Sequence, residues 1–165
     1  MRGSFRLVLF LSVVVLFPHT RAMGQTLEKP DGPWVVADYD PARDPQADLQ
    51  EAVSRAQVEG KRILLEVGGQ WCGWCHRLDL FLKEHPAILQ RLSRNYLLVK
   101  VNFSGENRNE SFLSRYPQIP GYPHIYVLEA DGSFLHSQDT LPLEEGNTYS
   151  EKAILDFLDS WVPGL

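Results

Sequence analysis

Cysteine is nearly absent from this chain: among 165 residues there are two. A secreted domain that relies on disulfide staples spreads several cysteines along its length, and a closed structural zinc site needs four ligands, commonly from two spaced pairs. Neither pattern exists here, and no metal or cofactor is expected. Basic residues form no run, and acids outnumber them by 21 to 16, which excludes the usual footprint of a nucleic-acid partner. Repeats and low-complexity tracts are missing. Only one long apolar run is present, Leu7 to Phe17 with Ser12 as its single interruption. It falls short of the ~20 residues that a membrane span requires.

That run has a basic start at Arg2 and Arg6, and small residues follow it at Ala22-Met23-Gly24. The arrangement is that of a secretory signal cut near Gly24, with an uncleaved anchor as the alternative. Its removal takes away three arginines and no acid, leaving a net charge of −8. The expected organisation is a signal peptide over 1–24, an extended N-terminal segment rich in Pro, Asp and Gly over 25–45, and one domain over 46–165. Export implies a periplasmic or secreted location.

Hydrophobic periodicity supplies the elements. Trp34 to Tyr39 reads as a short strand. Asp44 and Pro45 suit the start of a helix that carries Leu49, Ala52, Val53 and Ala56 on one face and stops at Gly60. Ile63 to Val67 reads as a buried strand, apolar except for Glu66. A helix with Trp74, Leu78, Phe81 and Leu82 on one face follows, and Pro86 breaks or restarts it. Tyr96 to Phe103 is a second strand, Asn107 to Tyr116 a short helix, and Pro123 to Glu129 a third strand. Asp131-Gly132 is a hairpin turn that returns through Ser133 to Ser137. A polar loop with Pro142 and Gly146 leads to a last helix capped by Ser150. The order predicts an α/β fold: a central mixed sheet with helices on both faces, closed by a C-terminal hairpin and helix.

Both cysteines sit in Trp71-Cys72-Gly73-Trp74-Cys75-His76. Two thiols two residues apart close and reopen a small-ring disulfide. The loop is too short to stabilise the fold much, which favours chemistry over stapling. A thiolate is the attacking species, and a helix N-terminus favours it. Cys72, just before the expected helix, is the nucleophile of this reading. Cys75, one turn further in, resolves the mixed disulfide. Gly73 permits a tight turn between them. Trp74 shields one side, and Trp71 lies at the rim. His76, His85, His124 and His136 are too scattered to complete a metal site with the pair.

Strand, Trp-Cys-Gly-Trp-Cys, helix, and later Gly121-Tyr122-Pro123 ahead of a strand and hairpin: over residues 46–161 the chain resembles the thioredoxin-fold family, and within it the exported bacterial thioredoxin-like proteins. The resemblance implies a thioredoxin fold and a thiol–disulfide oxidoreductase that needs no cofactor. It also implies that Pro123 is cis and that Tyr122 lines the substrate groove with Trp71, Gly73, Trp74 and Pro123. Without that resemblance, an ordinary trans turn proline would be the default. Glu66, six residues before Cys72, matches a buried acid of the family that would take the proton of Cys75. The residues alone also allow it to point outward. Expected partners are exported cysteine-containing proteins and, for a reductase, a membrane electron-relay protein. A non-catalytic binding module on the same fold is the alternative function.

Overall fold

Three strands are buried along every residue: β2 (Arg62–Gly68), β3 (Tyr96–Asn102) and β4 (His124–Leu128). Continuous burial marks central strands covered on both faces. The computed structural model describes residues 32–164, so the signal expected at 1–24 lies outside the described residues. Around β2 and β3 stand β1 (Trp34–Val36), β4 (His124–Leu128) and β5 (Phe134–Asp139), in the order β1-β3-β2-β4-β5. The first three are mutually parallel, and β4 alone runs the opposite way, antiparallel to both β2 and β5. This is the mixed sheet expected from the element order.

Side chains alternate across a strand, and the sheet sorts its core accordingly. Ile63, Leu65 and Val67 join Leu97, Val99 and Val101 on one face, beneath α1 (Pro45–Glu59) and α4 (Glu110–Leu113). Leu64 and Leu98 face the other way, beneath α2 (Gly73–Glu84), α3 (Pro86–Asn95) and α5 (Glu151–Ser160). The same alternation puts Glu66 and its register partner Lys100 on the α2 side.

Local signals set the helix ends. Asp44 accepts a hydrogen bond from the Gln46 amide at 2.9 Å, and Pro45 opens α1. Gly60 closes it in the left-handed conformation, φ 64° and ψ 37°, where a Cβ is penalised. His85 is at once the last cap of α2 and the first of α3, with Pro86 in the first turn. Helix α2 runs unbroken from Gly73 to Glu84.

Three local expectations need correction. The first strand ends at Val36, short of Tyr39. The helix expected over Asn107 to Tyr116 is only Glu110–Leu113. Side-chain amides organise the preceding loop instead: Asn102 Nδ2 donates to the Asn107 carbonyl at 2.8 Å and Asn109 Nδ2 to the Asn102 carbonyl at 2.7 Å. Asn109 itself has φ 49°, which interrupts any helix reaching back through it. The polar loop after β5 contains a 3₁₀ turn (Leu141–Leu143) and a two-stranded ribbon, β6 (Glu144–Glu145) with β7 (Thr148–Tyr149). Tyr149 from this ribbon packs edge-on against Trp74, centroids 5.5 Å apart, and donates its hydroxyl to the Trp74 carbonyl at 3.2 Å.

Leu98 lies at the centre of the α2-side core and is 1% exposed. Leu98→Ala is expected to cost about 2–5 kcal/mol in urea unfolding. Val58→Ala, on the solvent face of α1, should stay within about 0.5 kcal/mol of wild type.

Candidate redox site

The turn after β2 delivers the cysteines to the start of α2. Cys72 is the N-cap residue, extended at φ −91° and ψ 102°, and its Sγ accepts the Cys75 amide at 3.2 Å. A Cys72–Cys75 disulfide joins Cα atoms 5.3 Å apart. Cys72 is 4% exposed and Cys75 fully buried, the order of access that the sequence implied. When the bond opens, Cys72 Sγ stays beside the unpaired amides of the first helical turn, which favour an anion there.

Gly73 does something other than expected. It has no positive φ, and a Cβ built on it would meet nothing within 4 Å. No tight turn requires a glycine there; the missing side chain leaves the surface beside Cys72 open. Steric need falls on the Gly68-Gly69 pair instead. A Cβ on Gly68 would lie 2.5 Å from Cys75 Sγ and 2.9 Å from the Tyr39 hydroxyl oxygen. On Gly69 it would lie 2.4 Å from Trp71 Nε1.

The Tyr122–Pro123 bond is cis. Tyr122 packs with Trp74 against the cluster of Tyr39, Cys72 and Cys75. The Thr140 hydroxyl donates to the Pro123 carbonyl at 2.7 Å, tying this loop to the end of β5. Trp71 is 58% exposed, stands edge-on to Tyr122 with centroids 5.5 Å apart, and donates Nε1–H to the Phe103 carbonyl at 2.7 Å. Phe103 stacks on Tyr122 at 5.0 Å. Of the residues expected to line a groove, Trp71 thus meets Tyr122, Trp74 and Tyr122 pack against the cysteine cluster, and Phe103 joins them unforeseen. His76 is exposed, with Nε2 2.8 Å from the Gln70 carbonyl. His124 is buried in β4 with Nε2 2.8 Å from Ser137 Oγ.

Glu66 points inward and is 2% exposed. Its Oε1 accepts the Tyr39 hydroxyl at 2.5 Å, while Oε2 has no hydrogen-bond partner among the described residues. It also lines a cavity of about 20 Å³ whose other walls are apolar side chains such as Leu64, Leu78 and Leu98. Burial pushes the Glu66 carboxyl above the ordinary carboxylate range, against the opposing pull of Lys100 and the Tyr39 hydrogen bond. Burial, reinforced by the charge and hydrogen bond of Glu66, raises Tyr39 well above an ordinary phenol. Lys100 Nζ donates to Asp79 Oδ1 at 2.7 Å, and Lys83 Nζ to Asp79 Oδ2 at 2.8 Å. Partial burial pushes Asp79 up, but those two hydrogen bonds outweigh it and hold its carboxyl low.

Sequence reasoning missed Tyr39, Lys100, Asp79 and Phe103. Lys100 had a signal, a lone cation within Leu97-Leu98-Val99-Lys100-Val101, and so did Asp79, one turn beyond Cys75. Tyr39 had none, because it lies 27 residues before Glu66 in an irregular segment.

Because the folded state holds the Glu66 proton more tightly than the unfolded chain, rising pH withdraws stability. The loss begins near the unfolded carboxylate pKa of about 4.3 and is complete above the raised folded value. Glu66→Gln removes the penalty. Urea unfolding of the oxidised proteins is expected to show the variant gaining on wild type as pH climbs from about 4, then levelling off. A constant difference across that range would mean that Glu66 ionises no differently in the fold. Gly68→Ala is expected to cost about 1–3 kcal/mol through overpacking against Cys75 and Tyr39, measured the same way.

Comparison with known proteins fits this geometry. The thioredoxin-like family profile matches residues 44–130. The thiol:disulfide interchange protein DsbD of Pseudomonas fluorescens is 27% identical over 107 residues, covering 64% of this chain and 18% of that protein. The chain therefore spans about a fifth of the length of that relative. A solved disulphide isomerase from Xylella fastidiosa superposes with a TM-score of 0.64 at 24% identity, covering 74% of this chain and 94% of that one. The oxidised C-terminal domain of Neisseria meningitidis DsbD superposes with a TM-score of 0.51 at 17% identity, covering 72% and 97%. With the profile matching over half its length, the chain belongs to the thioredoxin-like family.

Proposed function

We propose that this protein is an extracytoplasmic thiol–disulfide oxidoreductase that exchanges disulfides with exported cysteine-containing proteins. The observation that carries the reading is the Cys72–Cys75 disulfide at the first turn of α2, packed against the Tyr122 side of a cis-proline loop. The Cys72 thiolate attacks a substrate disulfide, and one substrate sulfur leaves as thiolate. Cys75 then loses its proton to Glu66 and attacks Cys72 Sγ. The enzyme disulfide forms and the second substrate sulfur leaves. Run backwards, the same steps donate a disulfide.

Trp74 and Tyr122 pack against the cysteine cluster, Trp71 stands edge-on to Tyr122, and the missing side chain of Gly73 leaves room for an approaching chain. Export is supported by the basic start, apolar run and small residues of 1–24. A reductase working there draws its electrons from a donor outside the cytoplasm, such as a membrane relay protein.

Insulin reduction with a regenerating dithiol tests the activity. Wild type is expected to turn over, Cys72→Ser to fall to the uncatalysed rate, and Cys75→Ser to accumulate mixed disulfides visible on non-reducing gels. An inactive wild type that binds partners whatever its thiol state is a binding module instead. The equilibrium potential of the pair against glutathione sets the direction, since ~30 mV corresponds to ~1.4 kcal/mol.

A further inference from the structure

Tyr39 is a buried phenol that the exchange steps above do not use. It is 3% exposed, belongs to no helix or strand, and packs directly against Cys72 and Cys75. Its hydroxyl donates to Glu66 Oε1 at 2.5 Å. The same oxygen lies 2.9 Å from the point where a Gly68 Cβ would stand, and Cys75 Sγ lies 2.5 Å from it. The hydroxyl bonded to the carboxylate that must gain a proton therefore shares its neighbourhood with the sulfur that must lose one, around a position that only a glycine leaves open.

We propose that Tyr39 is the proton relay between Cys75 and Glu66, its hydroxyl passing one proton to the carboxylate while accepting another from the thiol. The inference rests on the reading of Glu66 as the base for Cys75. The step balances. In the mixed disulfide, Cys75 Sγ–H and Glu66 carboxylate become Cys75 thiolate and Glu66 carboxylic acid, and Tyr39 ends as it began, a neutral phenol. The thiolate forms the bond to Cys72 Sγ, and the electron pair of the broken Cys72–substrate bond departs on the substrate sulfur. The substrate disulfide is the oxidant, and no further reactant enters.

The surroundings suit a transient relay rather than a phenolate. Glu66 from β2, Asp79 from α2 and Tyr149 from β7 all disfavour a negative charge on the Tyr39 oxygen. Lys100 Nζ lies 5.2 Å from the Tyr39 ring centroid, but its hydrogen bond goes to Asp79, which Lys83 also holds. A hydroxyl that cannot keep a negative charge must hand its proton on only as it receives another.

Stopped-flow mixing of the reduced protein with 5,5′-dithiobis(2-nitrobenzoate) separates the steps. The first thionitrobenzoate leaves as Cys72 attacks, and the second as Cys75 resolves. Tyr39→Phe keeps the ring and deletes the hydroxyl. It is expected to slow the second phase at least about tenfold below the ordinary thiol pKa of about 8.5, to converge with wild type above it, and to leave the first phase unchanged. Glu66→Gln should show the same profile, and the double variant should be no slower than either single one. A wild-type second phase in Tyr39→Phe, with Glu66→Gln slowed, overturns the relay and leaves the role of Glu66 intact. A wild-type second phase in Glu66→Gln overturns both.

Site-specific replacement of Tyr39 by 3,5-difluorotyrosine guards against misfolding, because it keeps shape and donor while making the hydroxyl more acidic. The relay predicts a change of about threefold or more in the second phase alone. No change overturns it.

Discussion

A carboxyl group at the middle of a fully covered β-sheet is costly to ionise, and much of the arrangement around the cysteines answers that cost. Glu66 stands on the central strand with register partner Lys100 on β3, and Lys100 is itself held by Asp79 of α2. That ion pair ties the redox helix to the sheet beneath it, while the Tyr39 hydroxyl supplies the hydrogen bond that Glu66 otherwise lacks. A chain of charges with alternating sign runs from Glu66 through Lys100 and Asp79 to Lys83. Beyond the effect of burial, Lys100 and Lys83 pull the Glu66 carboxyl down and Asp79 pushes it up, so the acidity of the buried acid is a property of the group.

Above this charged layer lies a different kind of constraint. The cysteine turn closes only because Gly68 and Gly69 lack side chains, one making room for Cys75 and Tyr39 and the other for the Trp71 indole. Trp71, Tyr122 and Phe103 then form a continuous aromatic wall, fixed by the indole hydrogen bond to the Phe103 carbonyl. Rigid aromatic surface beside a reactive sulfur offers area to a passing polypeptide with little side-chain entropy to lose. The Arg108 guanidinium, 6.0 Å from the Phe103 ring centroid, extends that wall with a cation.

Sequence and structure agree where a residue's own neighbours decide its state. The α1 cap at Asp44, the stop at Gly60 and the α2–α3 break at Pro86 depend on nearby residues and were readable one position at a time. The buried strands were readable from apolar runs, and the pair of thiols from spacing alone. What escaped depends on contacts between distant segments. Asn107 and Asn109 look like the start of a helix until their side-chain amides find the Pro41 and Asn102 carbonyls, and the Asn102 amide finds the Asn107 carbonyl. Tyr39 looks like the end of a strand until the sheet brings Glu66 beneath it. Gly73 drew attention because it lies between the cysteines, whereas the glycine that matters sterically stands four residues before the first.

Tyr149 holds the Trp74 carbonyl from 75 residues further along the chain, and the same C-terminal stretch brings Leu143, Ile154, Phe157 and Leu158 to the α2 side of the sheet. During biosynthesis Trp74 therefore exists well before the residue that holds it. At ribosomal speeds of about 5–20 residues per second, its carbonyl waits roughly 4–15 s for the Tyr149 hydroxyl.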